Sequence, residues 1–337
     1  MRHKLELPIE SPVYSAYNYQ LASSSIFKEN PSIRNWYLNE VMMLYCERDF
    51  LSGYTSPQIG ILKTSWLQNP YLESYKYPLK HIENYSKTLI KTLLDNGFYV
   101  YFSNIDDYYI QGKTMFNERH YFHDGLICGY DMKKKTYSIL AYDKNWLPRK
   151  FESSQKGVDY SIRVSVKNNS NCYICALRPK IDDVLLDCNT VVENLKIYLN
   201  SSLKKYPKNE AGRVQGIVTH DYIAMYLDKL IDGSISKERI DKRVFRVVWE
   251  HKNIMLERLQ KVEETLGLDD KSSKLYSKIV NSANDMRSMY AIYTINPKEE
   301  ILPRIKSKLQ YLKKRELEIL KDFIIKAERV IKNESVE

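Results

Sequence analysis

One histidine and one aspartate are spaced in this chain so that they could work as a pair. His123 comes shortly before an apolar run that predicts a strand, and Asp143 ends the next predicted strand. In an antiparallel pair of strands, the start of one lies beside the end of the other. The carboxylate would then accept a hydrogen bond from the imidazole, fix its tautomer and stabilise its cation. The spacing therefore predicts a His–Asp pair. Taken alone, a histidine beside a strand is more often structural, and a pair suited to acid–base or nucleophilic catalysis is the alternative.

The remaining histidines and one nearby tryptophan have weaker patterns. His120 lies three residues before His123 and is expected at the surface. Trp146 comes three residues after the aspartate, and would either cover the pair from water or pack in the core. His220 and His251 fall on predicted helices, where packing or surface roles are expected. The proposed chemistry therefore rests on the first His–Asp pair.

The first 180 residues mix predicted helices with predicted strands, which is the pattern of an α+β domain. Helices are predicted at 17–27, 35–47 and 84–94, and strands at 98–103, 125–130, 136–142, 161–166 and 173–177. The polar residues 132–135 predict a hairpin connection between two of these strands. A helical segment followed by antiparallel strands is thus expected to position the pair.

From residue 181 onward the pattern becomes helical. Helical spacing covers 187–203, 219–231, 236–266, 272–293 and 297–331. Gly233 and Gly267 stand where two of these helices would end. We therefore expect two domains, residues 1–180 with the sheet and an all-helical region at 181–337.

The composition limits the classes of partner. The 337 residues carry a formal charge of +10 and contain 28 Tyr against 9 Phe. A basic, tyrosine-rich chain could bind nucleic acid, but the excess is spread as +6 over residues 1–180 and +4 over the rest, with no basic block. A/T-rich codons alone explain the many Lys, Tyr, Asn and Ile residues. We expect no nucleic-acid partner.

Membrane insertion and secretion are not expected either. The apolar runs are far shorter than the roughly 18 residues that a membrane span needs. No charged segment followed by an apolar one opens the chain, so no signal peptide is expected. The sequence predicts a cytoplasmic protein.

The five cysteines predict neither a disulfide framework nor a metal site. Cys172 and Cys175 form half of a zinc or redox motif, but no second Cys or His pair follows at the required spacing. Buried small side chains in a reducing compartment are the better interpretation. The chain also lacks a GxGxxG or GxxxxGK[ST] loop and an HExxH motif. No cofactor and no metal are expected.

The order of His123, Gly129-Tyr-Asp131 and Asp143 resembles that in papain-like cysteine peptidases that process bacteriocins. It more closely resembles their acyltransferase relatives of nonribosomal-peptide and aminoglycoside clusters, typified by the N-terminal domain of butirosin biosynthesis protein H. The segments Asp95–Phe102 and Asp106–Ile110 also look like the stretch that precedes the histidine in that family. The resemblance covers about residues 10–150 and implies a papain-like cysteine-protease fold.

The family opens its first helix with a nucleophilic cysteine, and this chain departs from the pattern there. The family's Cys-aromatic-x-x-x-Leu-x-Ser pattern aligns on Ala16-Tyr17-Asn-Tyr-Gln-Leu21-Ala-Ser23, so Ala16 stands in place of the nucleophile. An inactivating Cys-to-Ala exchange explains this, and a naturally inactive relative is the alternative. A displaced alignment is a third interpretation, in which Ser23, Ser24 or Ser25 is the nucleophile.

The resemblance also implies roles for the residues of the site. A cysteine at position 16 would be activated by the helix N-terminus and by His123, with Asp143 orienting the imidazole. The backbone N–H of residue 16 would provide one donor to the oxyanion. Candidates for the second donor are Ser11, Ser15 and Asn18. Tyr17, Asn18 and Trp146 are expected to contact the substrate.

The activity implied by the resemblance is amide formation. An acyl group would pass from the thioester of a carrier protein, on its phosphopantetheine arm, to the cysteine and then to a small amine in nonribosomal peptide biosynthesis. An acidic acyl or peptidyl carrier protein would suit the basic charge of this chain. A cysteine peptidase or hydrolase with the same triad and a non-catalytic binding module remain as alternatives. The oligomeric state is left open.

Overall fold

The structure is a computed structural model that describes residues 2–26, 31–52, 55–168, 171–180, 183–201 and 212–334. The chain is mixed α/β, with an antiparallel sheet and a helical C-terminal region. It divides into two compact units. The first contains residues 1–34 and 64–184, and the second contains residues 35–63 and 185–337.

The first unit is built on one antiparallel sheet. Its strands are β1 (Lys4–Glu6), β4 (Leu72–Pro78), β5 (Tyr99–Asp106), β6 (Phe122–Asp131), β7 (Thr136–Tyr142), β8 (Pro148–Ser154) and β9 (Tyr173–Pro179), with β2 and β3 belonging to the second unit. The order across the sheet is β4-β9-β5-β6-β7-β8, and β1 pairs with the end of β6. Strand β6 therefore has β5 on one side and β7 on the other.

Among the described residues, four α-helices belong wholly to the first unit. They are α1 (Asn18–Ser24), α3 (Leu79–Ile82), α4 (Ser86–Asp95) and α5 (Gln155–Asn168), while α2 runs from Pro31 to Glu40 across the boundary between the units. Helices α4 and α5 pack on β5, and α1 packs on β6 and β7. The core between α4, α5 and the sheet includes Ile90, Leu94, Val100, Ile139 and Ile162. Helix α1 and the start of β6 thus lie in the same unit.

The second unit is mainly helical. Its helices are α6 (Cys188–Asn200), α7 (Thr219–Ile231), α8 (Val244–Thr265), α9 (Lys271–Ile295) and α10 (Ile301–Glu334). It also contains a small sheet of β2 (Leu44–Glu47), β3 (Ile59–Ile61) and β10 (Arg213–Gln215). Within the described residues, no helix is long and apolar enough to cross a membrane.

Residues 35–63 therefore lie with the helical unit and not with the sheet domain expected from the sequence. Strand β2 pairs with β10, and the buried Arg258 guanidinium donates to the carbonyls of Tyr37, Leu38 and Val41. Both contacts join positions about 170 to 220 residues apart. Hydrophobic periodicity is a local signal and carries no information about such pairings.

Two other expectations about local structure were wrong. Residues 161–166 alternate like a strand but belong to α5, where Val158, Ser161, Ile162 and Ser165 are buried at helical spacing. Helix α2 ends at Glu40, and Leu44–Glu47 is a strand, so the helix expected over 35–47 is too long.

Other expectations about the helices agree with the structure. Helix α7 has the predicted bounds, and Gly233 and Gly267 have positive φ just beyond two helices. Residues 27, 202 and 203, at predicted helix ends, lie outside the described residues.

A buried ionic network joins the helices of the second unit. The Lys252 ammonium lies 2.8 Å from both carboxylate oxygens of Glu316, and both side chains are fully buried. Tyr276 also donates to this carboxylate, and His220 Nε2 lies 3.6 Å from it. Burial, together with the charge of Lys252, lowers the pKa of His220 to about 4. The histidine thus stays neutral in the folded protein at neutral pH.

We predict that this histidine makes the second unit sensitive to acid. The unfolded chain protonates His220 near pH 6.5, whereas the folded chain does so near pH 4. Between these values the unfolded state binds more protons than the folded state. Lowering the pH from 7 to 4 therefore lowers the free energy of unfolding, by about 3 kcal/mol in total. Denaturant titrations between pH 7 and 4 measure the loss. The loss should be smaller in a His220→Gln variant, and an equal loss in both proteins would contradict the assignment.

Candidate active site

His123 is the second residue of β6 and lies opposite Ile105, near the end of β5. Its side chain is 23% exposed, so one part of the ring faces protein and another part reaches solvent. Helix α5 fixes the end of β5, because the Ser161 hydroxyl donates to the Asp106 carbonyl and the Asp106 N–H donates to the Ser165 hydroxyl. The strand pairing therefore sets which residues approach the Nδ1 side of the imidazole.

The carboxylate beside the imidazole belongs to Asp107, which begins a 3₁₀ turn directly after β5. Its Oδ2 lies 3.6 Å from His123 Nδ1. The Lys113 ammonium lies 3.1 Å from the other oxygen of Asp107 and 3.5 Å from Nδ1, and it donates to the Asp124 carbonyl at 2.8 Å. The side chains of Asp107 and Lys113 are almost completely buried. A buried carboxylate and a buried ammonium thus share one edge of the imidazole.

The other edge of the imidazole faces the beginning of α1. Asn18 is the first residue of this helix, and its side-chain nitrogen lies 2.9 Å from His123 Nε2. The side-chain amide oxygen of Asn18, Oδ1, is buried and has no hydrogen-bond partner among the described residues. The amide can present either its nitrogen or its oxygen to the ring, and the choice follows the tautomer of the histidine. Both ring nitrogens therefore have defined neighbours.

Ala16 is buried two residues before α1. The neighbouring Ser15 carbonyl accepts a hydrogen bond from the Tyr142 hydroxyl, and the Tyr142 ring stacks on His123 with centroids 6.5 Å apart. Asn18 and Tyr142 thus tie this segment to the imidazole from two sides. Position 16 itself carries only a methyl group, so it provides neither a thiol nor a hydroxyl.

The three serines of the displaced alignment have structural roles. Ser23 donates to the Thr64 carbonyl, Ser24 to the Tyr14 carbonyl and Ser25 to the Leu21 carbonyl, and all three are fully buried. Each hydroxyl proton is directed at a backbone carbonyl oxygen and not at an imidazole. The structure therefore argues against these serines as nucleophiles.

Four of the five cysteines hold their thiols in the protonated form. All five are buried and free of disulfides. Burial raises the pKa of the Cys46 and Cys128 thiols to about 12 and that of Cys175 to about 11, and it also raises the pKa of Cys172. These thiols stay protonated at neutral pH.

Asp143 does not pair with His123 in the described part of the chain. Its Oδ1 accepts hydrogen bonds from the N–H groups of Asn145 and Leu147, and its Oδ2 lies 3.7 Å from Arg149 Nε. The β6–β7 register would place Asp143 opposite His123, but the recorded pairs end at Leu126–Leu140. The expected His123–Asp143 contact is therefore replaced by the contact with Asp107, because the Asp143 carboxylate caps its own turn.

A second His–Asp pair lies next to the first along the chain. His120 Nδ1 is 2.6 Å from Asp106 Oδ2, and the carboxylate is fully buried while more than half of the His120 side chain is exposed. His120 is thus at the surface, as the sequence predicted. Sequence reasoning missed Asp106 and Asp107 as partners. The sequence contained a signal for them, because both residues follow the predicted strand 98–103. The end of this strand also lies beside the start of β6.

Aromatic rings surround the exposed part of His123. The Tyr121 ring lies 5.4 Å from it, and the Trp146 ring meets it edge-on at 6.4 Å. Tyr17, half-buried, stacks on Tyr19 at 5.6 Å. The structure thus brings Asn18 and Trp146 to the imidazole, and Tyr17, directly before α1, packs on a ring of that helix. Ser11 is exposed.

His220 and His251 are buried in the second unit. His251 Nε2 lies 2.8 Å from the Met42 carbonyl oxygen, and His220 Nδ1 lies 2.8 Å from that of Ile217. Both are packing residues. Among the described residues, no group of three or more His, Cys, Asp or Glu side chains is arranged to hold a metal ion.

Comparison with known proteins adds no family to this description. The chain matches no protein-family model, and no curated protein matches it significantly.

The two candidate acids can be distinguished by mutation. We predict that Asp107→Asn leaves the buried Lys113 ammonium without its counter-charge and lowers the free energy of unfolding by about 3–5 kcal/mol. Asp143→Asn keeps an oxygen for the two turn N–H groups and should cost less than about 1 kcal/mol. Denaturant titrations measure both changes, and ¹⁵N spectra of the imidazole report its environment. A spectrum altered only by the Asp143 variant would contradict the assignment to Asp107.

Proposed function

We propose that the first unit carries the site of a papain-like, cysteine-dependent acyltransferase in which alanine occupies the nucleophile position. One observation carries the proposal: His123 Nε2 faces the start of α1 through Asn18, while Nδ1 faces the buried carboxylate of Asp107. Papain-like enzymes use this arrangement of a first helix, an imidazole and an orienting polar group. The assignment to acyl transfer comes from the resemblance over residues 10–150.

With cysteine at position 16, the reaction would proceed in two transfers. Nε2 of His123 accepts the thiol proton, and the sulfur attacks the carbonyl carbon of a carrier-protein thioester. The C–S bond to the phosphopantetheine arm breaks, and that sulfur takes the proton from the imidazolium. A primary amine then attacks the acyl-cysteine, its proton passes to His123, and the sulfur at position 16 leaves as the amide forms. The exchange of one thioester for another and the final aminolysis need no cofactor.

The residues around His123 would support these steps in defined ways. The Asp107 carboxylate, 3.6 Å from Nδ1, would hold the orientation of the imidazole. Lys113 balances the charge of this carboxylate, so the site holds no unpaired buried anion that would oppose a thiolate. The Asn18 side-chain nitrogen, already turned toward the ring, could donate to the oxyanion of the tetrahedral intermediate.

The charge of the chain supports a carrier protein as the partner. Residues 1–180 carry a net excess of six positive charges, and acyl carrier proteins are the acidic partners that the proposed reaction requires. Complementary charge would raise the association rate and lose this effect as salt increases. The second substrate is a small amine. Because the reaction needs a reduced thiol, we infer a cytoplasmic location for the protein.

Ala16 favours a second candidate function, which is binding without turnover. A methyl group at position 16 leaves the imidazole, Asn18 and the aromatic rings in place but removes the atom that would form the covalent bond. A chain that naturally has alanine here would bind a thioester and release it unchanged.

We predict that Ala16→Cys creates a site that can be acylated. Incubation with the N-acetylcysteamine thioester of benzoic acid should add one benzoyl group, seen by intact-mass spectrometry, and a primary amine should then release the amide. The double variant Ala16→Cys/His123→Gln keeps the thiol without the imidazole and should acylate at least about a hundredfold more slowly.

Three results would count against the proposal. Release of benzoic acid alone in the presence of the amine would identify a hydrolase. Equal acylation with and without His123 would remove the imidazole from the mechanism. Acylation of an Asn18→Cys variant, but not of Ala16→Cys, would move the nucleophile to the first residue of α1.

A further inference from the structure

The turn between β7 and β8 holds one residue in an unfavourable conformation. The Trp146 N–H donates to the Asp143 carbonyl, and the Asp143 N–H donates to the Leu147 carbonyl. Trp146 has a φ of +58°, in the left-handed region. Such a position closes a tight hairpin and usually holds glycine, because a side chain there crowds the backbone. A bulky residue at this φ is an outlier that calls for an explanation.

Burial does not explain the choice of tryptophan. The side chain is 48% exposed, so much of its apolar surface remains in water. Its ring instead lies edge-on to His123 at 6.4 Å. Together with Tyr121 at 5.4 Å and Tyr142 at 6.5 Å, it forms an aromatic wall around the imidazole. The turn thus accepts a strained backbone and places a half-exposed ring at the site.

A second hairpin of the same sheet allows a comparison, because its turn also has a left-handed residue but lies away from His123. The β6–β7 turn is capped by Asp131, whose Oδ1 accepts from the N–H groups of Lys133 and Lys134. Its left-handed residue is Lys135, with a φ of +55°. The two turns share an aspartate cap and a left-handed residue, but only the turn beside His123 carries an aromatic ring. The hairpin geometry by itself therefore does not require tryptophan.

We propose that Trp146 recognises the substrate and that the acyl group is apolar and larger than acetyl. This inference rests on the proposed function, since the reacting carbonyl must lie beside His123. A group bonded directly to that carbonyl falls within the aromatic wall formed by Trp146, Tyr121 and Tyr142. In this arrangement the Asp143 carboxylate positions the ring through its turn.

The test measures the binding of two N-acetylcysteamine thioesters, benzoyl and acetyl, to the Ala16 protein by calorimetry. Trp146→Gly should weaken benzoyl binding by about tenfold or more and leave acetyl binding nearly unchanged. Trp146→Phe should retain most of the preference for benzoyl. Lys135→Gly, the matched control in the other hairpin, should change neither affinity.

The melting temperature separates recognition from packing. Relief of the left-handed strain offsets the loss of a half-exposed ring, so Trp146→Gly should keep Tm within about 3 °C of the parent protein. A core tryptophan would lower Tm by about 10 °C. A fall of that size would overturn the inference. It would also be overturned by equal weakening of both thioesters, by no change in benzoyl affinity, or by a parent protein that binds neither thioester.

Recognition by Trp146 and acyl transfer at position 16 can be tested separately. If Ala16→Cys is acylated at the same rate with and without Trp146→Gly, acyl transfer stands and recognition by Trp146 fails. If Trp146→Gly selectively weakens benzoyl binding while Ala16→Cys acquires no acyl group, recognition stands and acyl transfer fails. A preference of the wall for a free aromatic amine over the benzoyl thioester would assign Trp146 to the acceptor instead.

Discussion

The antiparallel pairing of β5 with β6 places the last residues of one strand against the first residues of the other. His123 enters the site from β6, and Asp107 enters it from the turn that ends β5. Helix α5 holds that end through two serine hydroxyls on the backbone of Asp106. If this pairing shifted by one residue, every side chain would move to the other face of the sheet. The position of the imidazole and of its acid thus depends on one strand register.

Each unit contains a lysine and a carboxylate that are buried together. In the first unit Lys113 faces Asp107, and in the second Lys252 faces Glu316. Removing both charges from water is costly, and the mutual attraction offsets this only when the remaining donors and acceptors are also satisfied. Lys113 also donates to the Asp124 carbonyl and Glu316 also accepts from Tyr276, whereas Asp107 Oδ1 has only the ion pair and no hydrogen-bond partner among the described residues. Each pair constrains the packing around it, because moving either charge away would leave the other buried without its counter-charge.

Local sequence patterns predicted the elements well where hydrophobic spacing alone decides them. Strand β7 and helix α7 have the predicted bounds, and the left-handed glycines lie just beyond helix ends. The pattern failed over 161–166, where β-branched residues alternate within a helix. It also failed to assign residues 35–63, because β2 pairs with β10 about 170 residues away. In both cases contacts distant in sequence overrode a local preference, which a local pattern does not contain.

The sequence by itself determined that His123 stands just ahead of a strand-forming apolar run, that position 16 has no nucleophilic atom, and that the elements before and after residue 180 differ in type. Only the tertiary structure decided which carboxylate meets the imidazole. A strand in the middle of a sheet has two neighbours, so the ends of β5 and β7 were both candidates from the order of the strands. The Asp143 carboxylate accepts hydrogen bonds from two backbone N–H groups of its own turn. Asp107 had a buried lysine to balance its charge and remained beside the ring.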